Sequence, residues 1–211
     1  MSKPRAAHGC CRCYTCGSSD VKGSIHQWAS VDGIWHISLS NQFLSLYCTT
    51  YQGYDEVEKR LRALLAALPA SIPVPLVDRV GVRYVNRISD DQDMANLHAL
   101  VQPEILGHSP LTGDNSGATL VASINQAAYN VDGALLQVRS GVLAPNETPD
   151  AAIPALQKQS WVLDLDASID KRIPFEANSI ISEFSRMSDL AYDYFKSVST
   201  PGFIERFSKK G

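Results

Sequence analysis

Val80-Gly81-Val82-Arg83-Tyr84-Val85-Asn86-Arg87-Ile88 decides how the rest of this chain is read. Its β-branched and aromatic residues suit a strand, whose side chains alternate between two faces. Val80, Val82, Tyr84, Asn86 and Ile88 share one face, apolar apart from a single amide. Gly81, Arg83, Val85 and Arg87 share the other, with the two guanidiniums about 13 Å apart by strand rise. A buried amide without a hydrogen bond costs about 1–3 kcal/mol, so Asn86 needs a partner.

The partners for the arginines are sought among strand carboxylates. Trp161–Ser168 alternates Trp161, Leu163, Leu165 and Ala167 with Val162, Asp164, Asp166 and Ser168. Asp164 and Asp166 thus share a face, about 7 Å apart. Two such carboxylates are a counterpart for Arg83 and Arg87, or a solvated face. A divalent-cation site or an acid pair would need further ligands or a cleft. The expectation is that Arg83 and Arg87 meet Asp164 and Asp166. The alternative is that Arg83, Asn86, Arg87, Asp164 and Asp166 converge on an anionic or metal-bound ligand.

Upstream, Ile25–Ala29 and Trp35–Ser40 flank Asp32-Gly33 and read as a hairpin, with Phe43–Thr49 as a third strand. His36 falls on the polar face of the second strand, as an exposed or bridging residue, and Cys48 reads as core or edge. Asp55 opens a helix, with Glu58 completing a capping-box-like pair. Val57, Leu61, Leu64, Leu65 and Leu68 form its apolar stripe, and Pro69 stops it. Ser71–Pro75 is an extended connector.

Downstream, Asp93 begins a short helix that ends before Pro103. Gly107–Gly117 is a loop with no Gly-Lys-Ser/Thr, so it is no phosphate cradle. Thr119–Gln126 and Ala134–Leu143 form a hairpin around Asn130–Gly133. After Pro174 a long helix carries Ile180, Ile181, Phe184, Met187, Leu190, Ala191, Tyr194, Phe195 and Val198 on one broad face. Thr200-Pro201 caps a last short helix.

Residues 1–24 read differently. Cys10, Cys11, Cys13 and Cys16 crowd into Cys-Cys-x-Cys-x-x-Cys, set among Gly and Ser without a hydrophobic period. Structural zinc draws two ligand pairs from separate turns, and the second pair is missing, so these four are a weak metal candidate. The stretch is expected to be a disordered leader, ahead of a single α+β domain over 25–211. Two strand meanders, each followed by an amphipathic helix packed on one face of a mainly antiparallel sheet, suggest two pseudo-equivalent halves at about 25–102 and 118–207.

The 211 residues are 45% hydrophobic and 19% charged, enough for a core. A net charge of −3 offers no basic footprint for nucleic acid. No apolar run approaches membrane-spanning length, and the odd cysteine count is not a disulfide framework. A cytoplasmic protein without a cofactor follows as the expectation.

Arg79–Ile88, Trp35–Ser40 through Tyr51, Leu163-Asp164-Leu165-Asp166 and the closing helix with Phe195 resemble a sporadically distributed, uncharacterised bacterial family. Its hallmark is an "LGLRYINRI"-type strand, and the resemblance spans roughly residues 25–207. Members begin with a Pro-rich segment and one more strand, where this chain has its Cys-rich leader. The resemblance implies a bacterial cytoplasmic protein and carries no activity with it. Sporadic occurrence is what accessory and defence genes show, toxin–antitoxin modules among them. With no assembled nucleophile–base pair or cofactor loop, the reading is a non-enzymatic binding or regulatory protein whose partner is another protein or a second copy. An enzyme or small-ligand binder built on the Arg/Asn/Asp cluster is the alternative.

Overall fold

The computed structural model describes residues 10–14, 24–107, 117–150 and 153–207, the first of these as backbone only. The strands are β1 (Cys10–Tyr14), β2 (His26–Ala29), β3 (Trp35–Leu39), β4 (Leu44–Cys48), β5 (Leu76–Ile88), β6 (Ser123–Val131), β7 (Ala134–Leu143) and β8 (Ser160–Pro174). The helices are α1 (Tyr54–Ala67), α2 (Asp91–Ala95), α3 (Leu97–Leu100), α4 (Ala177–Val198) and α5 (Pro201–Phe207). This is an α+β fold on an antiparallel sheet.

The sheet runs β2-β3-β4-β1-β5-β8-β7-β6, every neighbour antiparallel. Its order is symmetric about the β1/β5 seam. On each side a central strand pairs with the last strand of a three-strand meander, and a helix (α1 or α4) follows that meander in the chain. The expected disordered leader is corrected for five of its residues, since Cys10–Tyr14 pairs with β4 and β5. A strand held on both edges by neighbours satisfies its backbone without needing a hydrophobic period of its own. Cys16 lies outside the described residues, as do residues 108–116 of the expected loop.

Local chemistry explains the remaining boundaries. Asp132 and Gly133 both take positive φ, 50° and 77°, as a two-residue hairpin turn requires. The pairing of β6 with β7 starts beside Gly141, whose φ is +141°. A Cβ there would lie 2.0 Å from the Ser123 carbonyl oxygen, so only glycine fits. Helix α1 starts at Tyr54 with Gly53 at the cap position, not with Asp55 as cap. Asp55 instead sits in the first turn, where a negative charge suits the helix dipole, and Glu58 bonds Arg62 at 2.7 Å. Asp90, not Asp93, caps the next helix, accepting from the backbone N–H groups of Gln92 and Asp93. Strand β5 begins directly after Pro75, four residues before Val80.

The core lies on the helix-covered face. Val57, Leu61 and Leu65 of α1 and Ile180, Phe184, Met187 and Phe195 of α4 join Val82, Leu163 and Leu165 of the central strands. Trp161 is fully buried and donates Nε1–H to the Ile105 carbonyl at 3.1 Å. Thr200 caps α5 as expected, its Oγ1 accepting from Phe203 N–H at 3.2 Å. Cys48 is buried in this core, and His36 stacks on Tyr47 at 4.5 Å. Among the described residues no helix is long and apolar enough to cross a membrane.

Candidate functional site

The second face of the central strands is where the arginines lie. Arg83 stands opposite Asp166 in register, yet it reaches one pair along the strand to Asp164. Its Nε donates to Asp164 Oδ1 and its Nη2 to Oδ2, each at 2.7 Å. This is the bidentate, charge-assisted geometry that arginine forms best. Both residues are buried, so neither charge is left to water. Asp150, from the loop between β7 and β8, adds a third contact at 3.1 Å from Arg83 Nη2.

Arg87 departs from the expectation that it meets Asp166. Its Nε and Nη2 donate to Ser160 Oγ at 3.0 and 2.9 Å, and its Nη1 donates to the Pro154 carbonyl. Arg87 stands opposite Val162, two residues from both Ser160 and Asp164; Asp164 is engaged by Arg83, and Arg87 turns to Ser160 at the start of β8. Burial lowers the pKa of the Arg87 guanidinium. Asp166 faces Arg79 instead, at 3.6 Å. Burial pushes the Asp166 carboxyl above its ordinary pKa, against the pull of Arg79 and Arg83.

Arg139 of β7 closes the group, 3.8 Å from Asp164 and 4.0 Å from Asp150, and it donates to the Pro149 carbonyl at 3.3 Å. The arginines of β5 and β7 therefore grip the β7–β8 loop at Pro149, Asp150 and Pro154. Beside these contacts Ile153 packs on Val85, Leu143 and Val162 in a small second core. The arrangement clamps a loop onto the sheet.

Asn86 does not belong to this cluster. By strand alternation it sits on the helix-covered face with Tyr84 and Ile88. It is 2% exposed, and its Oδ1 has no hydrogen-bond partner among the described residues. The five residues singled out in the sequence are thus split, with Arg83, Arg87, Asp164 and Asp166 on one face and Asn86 on the other. Asp164 and Asp166 are turned to arginines. Among the described residues no group of three or more His, Cys, Asp and Glu side chains could hold a metal ion.

Arg79, Arg139, Asp150 and Ser160 were not singled out in the sequence. Arg79 had a signal, because Arg79, Arg83 and Arg87 recur every fourth residue and so share a strand face. Asp150 lies in a loop, where no period operates.

A cleft of about 1060 Å³ opens elsewhere, between the β3–β4 turn, the end of α1 and the first residues of β5. Leu39, Phe43, Leu65, Leu68 and Val74 line it, with Arg79 and Asp170 among its polar residues. None of Arg83, Asn86, Arg87, Asp164 and Asp166 lines it. No family model, curated protein or solved structure matches the chain.

Proposed function

We propose that this chain is a non-enzymatic binding or regulatory protein that works by protein–protein contact. Its setting is a bacterial accessory, stress or defence module of the toxin–antitoxin kind, in the cytoplasm. One observation supports the contact reading: large apolar side chains stay exposed at both ends of the sheet. At the β2 end these are Ile25, Trp28 and Val31, and at the β6 end Ile124, Tyr129 and Val131. Trp and Tyr dominate binding energy where an interface buries them. Trp28 is 51% exposed, a large area left to water unless something covers it.

The test compares tagged wild-type protein with Trp28→Ala in a bacterial lysate, with circular dichroism to check folding. A partner recovered in stoichiometric amount with wild type and lost with the variant supports the reading. Recovery of nothing, or of the same proteins with both, overturns it.

A second reading, small-ligand binding or catalysis on the Arg/Asn/Asp residues, draws on Asn86, whose buried Oδ1 lacks a partner among the described residues. The closed Arg83–Asp164 pair weighs against it.

A further inference from the structure

The two ends of the sheet are built differently. Strand β2 is four residues long, and short edge strands resist unwanted pairing. Strand β6 is nine residues long and reads Ser-Ile-Asn-Gln-Ala-Ala-Tyr-Asn-Val. It contains no charged residue, no histidine and no proline, the side chains that normally guard an edge. Its inner edge pairs with β7 along all nine residues, without a bulge. Its outer edge is the end of the sheet, and no strand among the described residues covers it. An edge strand presents unpaired N–H and C=O groups there, a template for another strand.

We infer that β6 pairs antiparallel with β6 of a second copy of this chain, across a two-fold axis. The inference rests on the outer strands being contact surfaces. An antiparallel edge pair is two-fold symmetric, so it closes as a dimer in which residue i faces j and j faces i. Centring the axis on Ala127 sets a small side chain against its own copy. The same register places Gln126 opposite Ala128, Asn125 opposite Tyr129, Ile124 opposite Asn130 and Ser123 opposite Val131. No like charges meet, because the strand has none.

The pairing extends the hydrogen-bonded ladder across the seam, and it covers part of the exposed Ile124 and Tyr129 with Asn130 and Asn125 of the other copy. A foreign peptide added to an edge is selected by pockets for its alternate side chains. The cleft described above lies beside β5 and the β3–β4 turn, away from β6, so the self-complementary strand is the better occupant.

The test is the mass of the full chain by sedimentation equilibrium. Wild type is expected to approach twice the 23.0 kDa chain mass as concentration rises. Gln126→Lys with Ala128→Lys sets lysine against lysine at two places across the axis. It is expected to weaken the dimer roughly tenfold or more. Gln126→Glu with Ala128→Lys sets opposite charges at the same two places and is expected to restore it. Both residues are exposed, so circular dichroism should be unchanged in each variant. Wild type at 23.0 kDa throughout overturns the inference, as does a dimer indifferent to the two lysines or one the Glu/Lys variant fails to restore. If wild type is monomeric while the Trp28-dependent capture persists, the dimer falls and the contact reading stands.

Discussion

Arg83 and Asp164 form a closed bidentate pair, with both hydrogen bonds at 2.7 Å and both side chains buried on the loop-covered face of the sheet. A guanidinium so engaged has little left to offer a ligand, and what remains goes to Asp150 of the covering loop. Arg83 and Arg87 at the centre of the sequence act as architecture, while Asn86 lies on the other face of the strand. They hold the β7–β8 loop down while the outer strands remain open.

The clamp predicts a local effect at Arg87. Arg87→Leu removes the donors to Ser160 Oγ and to the Pro154 carbonyl. Limited proteolysis should then cut between β7 and β8 faster, while the melting of the remainder changes less. Unchanged cleavage would show that Arg83, Arg139 and the packing of Ile153 hold the loop without Arg87.

Asp166 predicts a pH dependence. Its folded pKa is raised from 3.8, chiefly by burial. Between the unfolded and the folded pKa, the folded chain binds more protons than the unfolded one. Stability from this group is therefore present below 3.8 and declines as pH rises through the folded value. At neutral pH the charged carboxylate is a burden, partly offset by Arg79 at 3.6 Å. Asp166→Asn should raise the neutral-pH urea midpoint relative to wild type and remove the decline in stability as pH rises from 3.8 through the folded value. A lower midpoint at pH 7 would mean that the ion pair outweighs burial.

Asn86 separates a structural from a ligand-binding role. Its Oδ1 is buried without a partner among the described residues, a situation that costs about 1–3 kcal/mol. Asn86→Leu keeps the approximate volume and removes the unpaired group. It should leave stability unchanged or raise it by about 1 kcal/mol in urea unfolding. A loss of 2 kcal/mol or more would reveal an amide that is hydrogen-bonded in solution.

The alternation along Val80–Ile88 and Trp161–Ser168 was enough to group Arg83 with Arg87 and Asp164 with Asp166, each pair on one strand face. It could not say which aspartate Arg83 would choose, because a diagonal reach depends on side-chain length and on the loop above. The strand's start was hidden by the Pro73-Val74-Pro75 run, so Arg79 was passed over although it continues the spacing of Arg83 and Arg87. Asp150 and the Pro154 carbonyl come from a loop, and only folding brings them to the sheet. Strand β1 was illegible for a related reason. Cys-Cys-Arg-Cys-Tyr has no apolar period, and its place between β4 and β5 is set by two edges far away in sequence.

A double-mutant cycle on Arg83 and Asp164 tests the structural account most directly. Urea unfolding would be measured for wild type, Arg83→Met, Asp164→Leu and the double variant. Each single change should lose about 3 kcal/mol, because it leaves a buried charge with only Arg139 or Asp150 as a partial partner. The double variant should lose less than either, giving a large favourable coupling between the two residues. Single variants that stay as stable as wild type would contradict the account, for they would show that the pair does not hold the fold and that its charges are free for another purpose.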